Sequence, residues 1–294
     1  MSGSISWERK LNYKLYYILL TRRCRNFSMK DYGLVSIVTP SYNCADFIGE
    51  TIDSILSQTY TNWELLITDD CSTDKSREVI SSYVEKDSRI KLFKLEKNSG
   101  AGVARNNSIK EAKGRFIAFC DSDDRWYPDK LECQLDFMVK NGYGLTYSSY
   151  DTCDENGNIN GFVGCLRKLT YPKILRDNGI GCLTAIYDAG KIGKHYMPSI
   201  RKRQDWCLWQ RIIKEIGEAH GLQKPLALYR VRSGSISSNK IEMLRYNFNV
   251  YHQECGYSKP VAAIILGGYF LPYYFYKKIK QKRDYKNRLA VSKK

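Results

Sequence analysis

The sequence predicts an α/β fold in which a mixed, mainly parallel sheet carries helices on both faces. Two observations lead there. Short apolar runs alternate with stretches of helical period from about residue 34 to residue 120. Acidic and turn-forming residues gather at the ends of those runs, where a strand would pass into a loop and then a helix.

Leu34-Val35-Ser36-Ile37-Val38, ending at Pro40, reads as a buried strand. Phe47, Ile48, Ile52, Ile55 and Leu56 follow at helical spacing. Trp63 to Ile67 is a second strand and stops at Asp69-Asp70. Ser72, Thr73 and Asp74 supply N-cap chemistry for a helix running to about Glu85. Ile90 to Leu95 is a third strand, a helix covers about Ala101 to Ala112, and Phe116 to Cys120 is a fourth strand. Beyond Tyr150, Gly157, Gly161, Gly164, Gly179 and Gly181 break the pattern, and the segment reads as loop-rich. A helix returns at Gln204–Ile216 and a strand at Pro225–Val231. The chain thus divides into a basic extension (1–30), a globular domain (31–240) and a helical, basic tail (241–294).

Composition is globular, with 43% hydrophobic and 27% charged residues. The ten cysteines show no C-x-x-C spacing and read as reduced structural thiols of a cytosolic protein, not as a zinc site. Net charge is +16, but residues 1–30 hold +6 and residues 259–294 hold +9, which leaves the middle at +1. A nucleic-acid groove would place its charge within the folded domain. Charge confined to the flanks suits a protein resting on an anionic membrane face, or simply two solvated tails.

The apolar stretch Tyr16–Leu20 is too short for a secretory signal and is followed by Arg22, Arg23 and Arg25. From Pro260 to Tyr276, 17 residues carry no charge, yet they include Gly267-Gly268, Pro272 and a run of aromatic residues. That composition suits an interface better than a bilayer centre. The tail is therefore expected to attach peripherally to the cytoplasmic face of the cell membrane. Packing of Ile264, Ile265, Leu266 and Phe270 on the domain is the alternative.

Three polar clusters fall at strand ends: Thr39-Pro40-Ser41-Tyr42-Asn43, Asp69-Asp70 and Asp121-Ser122-Asp123-Asp124. Carboxylates at i and i+2 on such a turn can share a divalent ion, and oxygen ligands favour Mg²⁺ or Mn²⁺. A lone D-x-D is weak evidence, since acidic turns are ordinary loop chemistry.

The set of motifs is far more specific. Val35 to Asn43, Asp69 to Asp74, Gly102-Val103-Ala104-Arg105-Asn106 and Asp121 to Asp124 together resemble the family 2 glycosyltransferases of the GT-A (Rossmann-like) fold. The resemblance spans about residues 34–140 and, through Gln204-Asp205-Trp206 and Tyr229-Arg230-Val231, reaches about residue 240. It is nearest to bacterial enzymes that build capsule, teichuronic acid and other surface polysaccharides.

The resemblance implies a nucleotide-binding half (31–150), an acceptor half (151–240), a nucleotide-sugar donor and a saccharide or polyprenyl-diphosphate-linked acceptor. It puts Tyr42 against the nucleobase, usually uracil, with Pro40 shaping that loop and Asp70 accepting a hydrogen bond from the base; Asp69 is structural. Asp121 reaches the ribose or sugar, and Asp123, with Asp121, holds the metal. Arg105 meets phosphate, or else forms a salt bridge with a nearby Asp. Asp205 takes the base role in a single displacement with inversion, against the plainer reading of a helix cap. Many relatives carry a histidine near Arg232; an arginine there cannot ligate a cation but can bind phosphate. No Q-x-x-R-W motif of processive synthases is present, so a single transfer is expected.

Two rival readings remain at this level. Gly100-Ala101-Gly102 after a strand hints at a nicotinamide enzyme, although Arg105 replaces the third glycine. The basic flanks alone would suit a non-catalytic membrane or nucleic-acid binder.

Overall fold

The computed structural model describes residues 30–232 and 240–291. The basic extension (1–30) lies outside the described residues except at its last position. Residues from Tyr32 onward form one compact unit.

The first half follows the predicted alternation: β1 (Val35–Ser41), α1 (Ala45–Leu56), β2 (Trp63–Asp69), α2 (Ser76–Val84), β3 (Ile90–Lys94), α3 (Ala101–Glu111) and β4 (Phe116–Phe119). Then come β5 (Arg125–Trp126), α4 (Lys130–Asn141), β6 (Leu145–Cys153), β7 (Ile159–Val163), β8 (Lys168–Thr170), α5 (Tyr171–Arg176), β9 (Ile186–Asp188), α6 (Ala189–Ile192), α7 (Gln204–Ile216) and β10 (Glu218–Arg230). The sheet order is β3-β2-β1-β4-β9-β6-β10-β5, with β7 on β6 and β8 on β10. Strands β3, β2, β1 and β4 are parallel, as are β6 and β10, while β9 runs antiparallel between the two groups.

The sheet is buried on both faces, which is why β1, β2 and β4 read as continuous apolar runs. Ile37, Leu65 and Ala118 pack under α1, α2 and α4. Val38, Leu66 and Phe119 pack under α3 and α7, with Trp209 edge-on to Phe119 at 5.2 Å. Pro40 is tolerated in a central strand because of where its missing N–H would point. Val35 donates to Asn62 on the β2 side, so alternation turns position 40 toward β4, whose pairing has already ended at Val38.

Three expectations need correction. The segment beyond Tyr150 is not loop-rich: β6 continues through residue 150 and is followed by β7, β8 and β9. The last strand begins at Glu218, seven residues before Pro225, and bulges past that proline. Only Asp74 serves the start of α2, accepting from Ser76 N at 2.9 Å; Ser72 and Thr73 do not cap that helix. All three lace two loops together. Ser72 Oγ accepts from Asn43 N, Asn43 Oδ1 accepts from Thr73 N, and Asp74 accepts from Ala45 N at the start of α1.

The tail is helical: α8 (Lys240–Asn249), α9 (Lys259–Ile264) and α10 (Leu271–Val291), with wider π turns at Val250–Glu254 and Ile265–Phe270. Its inner face belongs to the core, since Tyr251, Ala262 and Phe270 are buried and Trp206 touches both aromatic rings. Among the described residues no helix is long and apolar enough to cross a membrane.

Candidate active site

Strand order reverses between β1 and β4, and the crevice beyond their carboxyl ends is where an open α/β sheet takes its ligand. Tyr42, Asp70, Asp121 and Asp123 all stand on that edge. Tyr42 is 49% exposed, an apolar ring turned to solvent. Asp69 is fully buried and pairs with Arg77 at 2.6 Å, a structural role. Asp70 accepts the backbone N–H groups of Ser99 and Gly100, each at 2.7 Å, which fixes the loop entering α3. Each of its oxygens retains a further lone pair.

Helix α3 builds the centre with one face. Gly102 lets Gln204 approach so closely that a Cβ there would lie 3.0 Å from its Cγ. One turn on, Arg105 pairs with Asp121 at 2.5 Å, and Asn106 exchanges two hydrogen bonds with the backbone of Met197. Spacing i, i+3, i+4 thus gathers α7, the D-x-D turn and the 197 loop around a single helical face. Burial opposes the Arg105 charge, but Asp121, Cys182 and Asp205 around it raise its pKa above the ordinary value. The Arg105 guanidinium thus forms a salt bridge with Asp121.

Asp123 pairs with Arg232 at 3.0 Å. Arg230, at the end of β10, donates from its backbone to Asp124 and from its side chain to Asp123 O and to Glu50. Burial, and then the charge of the neighbouring aspartates, push the Asp123 and Asp124 carboxyls above the usual range. Asp124 Oδ2 has no hydrogen-bond partner. A turn with three neighbouring carboxylates, one oxygen of which is buried without a partner, fits a divalent cation. The described residues offer no group of three or more His, Cys, Asp or Glu side chains as a complete cage. A cation there would rest on Asp123 and Asp121 and complete its shell from water and substrate oxygens, the usual habit of Mg²⁺.

Asp205 lies in the first turn of α7 but caps nothing. Arg203 holds the cap position at φ +70°, and no side chain bonds the helix end. Asp205 Oδ2 instead accepts from Asn178 Nδ2 at 2.8 Å. The charges of Asp121 and Asp205 both act on the buried Cys182 thiol, which burial already holds well above its ordinary pKa. Tyr150 is likewise raised by burial, then by Asp124, Asp177 and Asp205. Asp205 thus lies near enough to Arg105, Cys182 and Tyr150 for its charge to act on all three.

Several of these contributors escaped the sequence reading. Arg230 and Asp124 stood inside quoted motifs without a role. Asn178 and Cys182 lie in the segment that read as irregular, Tyr150 lies at its border, and no local pattern marks them. The histidines are structural: His220 stacks on Tyr143 at 3.5 Å between ring centroids, and His195 and His252 bond backbone carbonyls.

A family model described as Glycosyl transferase family 2 matches residues 36–191, more than half of the chain. The chain belongs to this family. TuaG of Bacillus subtilis, named for glycosyl transfer in teichuronic acid biosynthesis, is 42% identical over 75% of this chain and 88% of its own. Escherichia coli WfgD, named UDP-Glc:alpha-D-GlcNAc-diphosphoundecaprenol beta-1,3-glucosyltransferase, is 41% identical over 88% of this chain and 99% of its own. Among solved structures, S. aureus TarS in complex with UDP-GlcNAc shares the fold at TM-score 0.62 and 22% identity, over 80% of this chain and 71% of that one.

The protein is therefore a family 2 glycosyltransferase of GT-A type. Both rival readings fall with this. The glycines that hinted at a nicotinamide site have other duties: Gly100 adopts φ +90° and gives its N–H to Asp70, and Gly102 admits Gln204.

Proposed function

We propose that this glycosyltransferase moves one sugar, with inversion and with a divalent metal, from a UDP-sugar to a hydroxyl of a polyprenyl-diphosphate-linked or saccharide acceptor in surface-polysaccharide synthesis. The names of TuaG and WfgD support the donor and acceptor classes. The observation that carries the mechanism is the pair of ion pairs Arg105–Asp121 and Arg232–Asp123 at a strand end, with Tyr42 exposed on the same sheet edge.

In this reading Tyr42 stacks on the uracil, in a loop stiffened by Pro40, and Asp70 both builds the α3 entry and accepts from the base. Asp121 orients the ribose or sugar. Asp123 and Asp121 would hold Mg²⁺ or Mn²⁺, and that ion would supply positive charge to a departing diphosphate. Arg105 and Arg232 turn from their aspartates to phosphate oxygens, where planar guanidinium groups bind well. Asp205 takes the acceptor hydroxyl's proton as that oxygen bonds the anomeric carbon; the opposite C–O bond breaks and its electron pair leaves with UDP. The tail's outer face rests on the cytoplasmic side of the membrane, where a lipid-linked acceptor resides.

Thermal denaturation tests the donor site. UDP should raise Tm only when Mn²⁺ or Mg²⁺ is present, and Asp123→Asn should weaken that shift. A metal-dependent shift unchanged in the variant removes Asp123 from the site.

A further inference from the structure

The loop after α5 connects the tail to the proposed base. Three tail residues at spacing four reach α5 and this loop from one helical face. Tyr269 Oη donates to Pro172 O at 3.0 Å, the Arg176 guanidinium lies 3.6 Å over the Tyr273 ring, and Lys277 Nζ bonds the Asp177 carboxylate and donates to Asn178 O at 3.3 Å. Asn178 then gives its side-chain amide to Asp205 at 2.8 Å. Its own Oδ1 accepts from Ile180 N at 3.4 Å, so the oxygen is committed within the loop and the NH₂ end must face the carboxylate.

We propose that Asn178 is a positioning residue for Asp205, and that the C-terminal helix fixes it through Lys277. The inference rests on Asp205 being the base. The chemistry suits that task. An amide donor orients a carboxylate without neutralising it, whereas a lysine or arginine in its place would hold the negative charge and blunt proton abstraction. Asn178 bonds Oδ2, which leaves Oδ1 for the acceptor hydroxyl. The Lys277 ammonium is matched by Asp177, so its charge is spent on the loop and not on the base. A general base works only at hydrogen-bond reach of its proton, and small displacements are costly. The loop contains no regular element between α5 and the turn at Cys182, so the tail supplies the rigidity that the loop lacks.

The test uses the full chain with UDP-glucose as donor and a GlcNAc-diphosphate lipid as acceptor. Asn178→Ala should lower kcat roughly tenfold to a hundredfold, the scale of a lost hydrogen bond to a charged group. The donor KM and the UDP-induced Tm shift should stay at wild-type values. Asn178→Asp keeps the shape, removes the donor and adds a like charge, so it should lose at least as much. Lys277→Met should lower kcat less than Asn178→Ala, and the double variant should be no slower than Asn178→Ala alone. Wild-type kcat in both Asn178 variants, beside an inactive Asp205→Asn, overturns the positioning role alone. Wild-type kcat in Asp205→Asn overturns the parent reading instead. A parallel loss of donor KM and Tm shift in Asn178→Ala reduces the residue to a structural one, and additive losses in the double variant disconnect Lys277 from it.

Discussion

A carboxylate in the first turn of a helix ordinarily finds backbone N–H groups, yet Asp205 is held from outside its helix by Asn178. Asp205→Asn should leave UDP binding nearly intact while transfer falls on the order of 10²–10⁴-fold, the range for a lost general base. Wild-type transfer in that variant would return Asp205 to a structural role. A second residue makes a claim about stability. Lys130 is fully buried, donates to Gln134 at 3.0 Å and lies 4.2 Å over the Trp126 ring. Burial lowers its pKa from 10.5 to about 7. The unfolded chain keeps this proton up to the ordinary lysine value, whereas the folded protein releases it at about 7. Between those values the unfolded state binds more protons, so the Lys130 contribution makes stability rise with pH. Lys130→Met should raise Tm at pH 7 and flatten that rise up to pH 10. An unchanged slope in the variant would show that Lys130 titrates normally.

At the scale of elements, the tail has two faces. Tyr251, Ala262 and Phe270 are buried, while Val261 and Ile264, one turn apart, are exposed, as are Phe275 and Ile279. Beyond these come exposed Lys278, Lys280, Lys282, Arg283 and Lys286. The two readings of the uncharged run are therefore compatible: one face packs on the domain, and the other is free for lipid. Each basic residue near an anionic surface contributes about 1 kcal/mol, a term that salt screens. Phe275→Ser with Ile279→Ser changes only solvent-facing positions and should reduce flotation with anionic vesicles while Tm holds. Equal flotation of variant and wild type would show that the tail is not the anchor.

Elements also explain what was legible in the sequence. Up to residue 120, β1, β2 and β4 are buried apolar runs and α1 buries the isoleucines that recur at helical spacing, so period and burial agree. Between residues 154 and 190 the strands are short, β8 and β9 having three residues each, and β7 and β8 are partly exposed. Gly161 read as a breaker, yet it lies within β7 because a Cβ there would sit 2.4 Å from Thr152 Oγ1 on the paired strand. The D-x-D turn and Asp205 were legible through their motifs. Asn178, Cys182 and Tyr150 were not, because only the tertiary fold brings them to the site.

Taken whole, the molecule places its acidic, arginine-paired turn on one edge of a buried sheet and a two-faced helix against the loop that bonds Asp205. The basic residues between 259 and 288 share their helices with the exposed apolar side chains, and the middle of the chain is nearly neutral. That arrangement suits a soluble donor entering the crevice and an acceptor presented at a membrane surface. Its central chemical claim is a single displacement by an acceptor hydroxyl whose proton goes to Asp205. The anomeric configuration of the product tests this most directly. With α-linked UDP-glucose, a GlcNAc-diphosphate lipid and Mn²⁺, NMR of the isolated product should show a new β linkage, and none when Asp205→Asn replaces the wild type. An α linkage formed by the wild-type protein would contradict the account, because a single displacement cannot retain configuration.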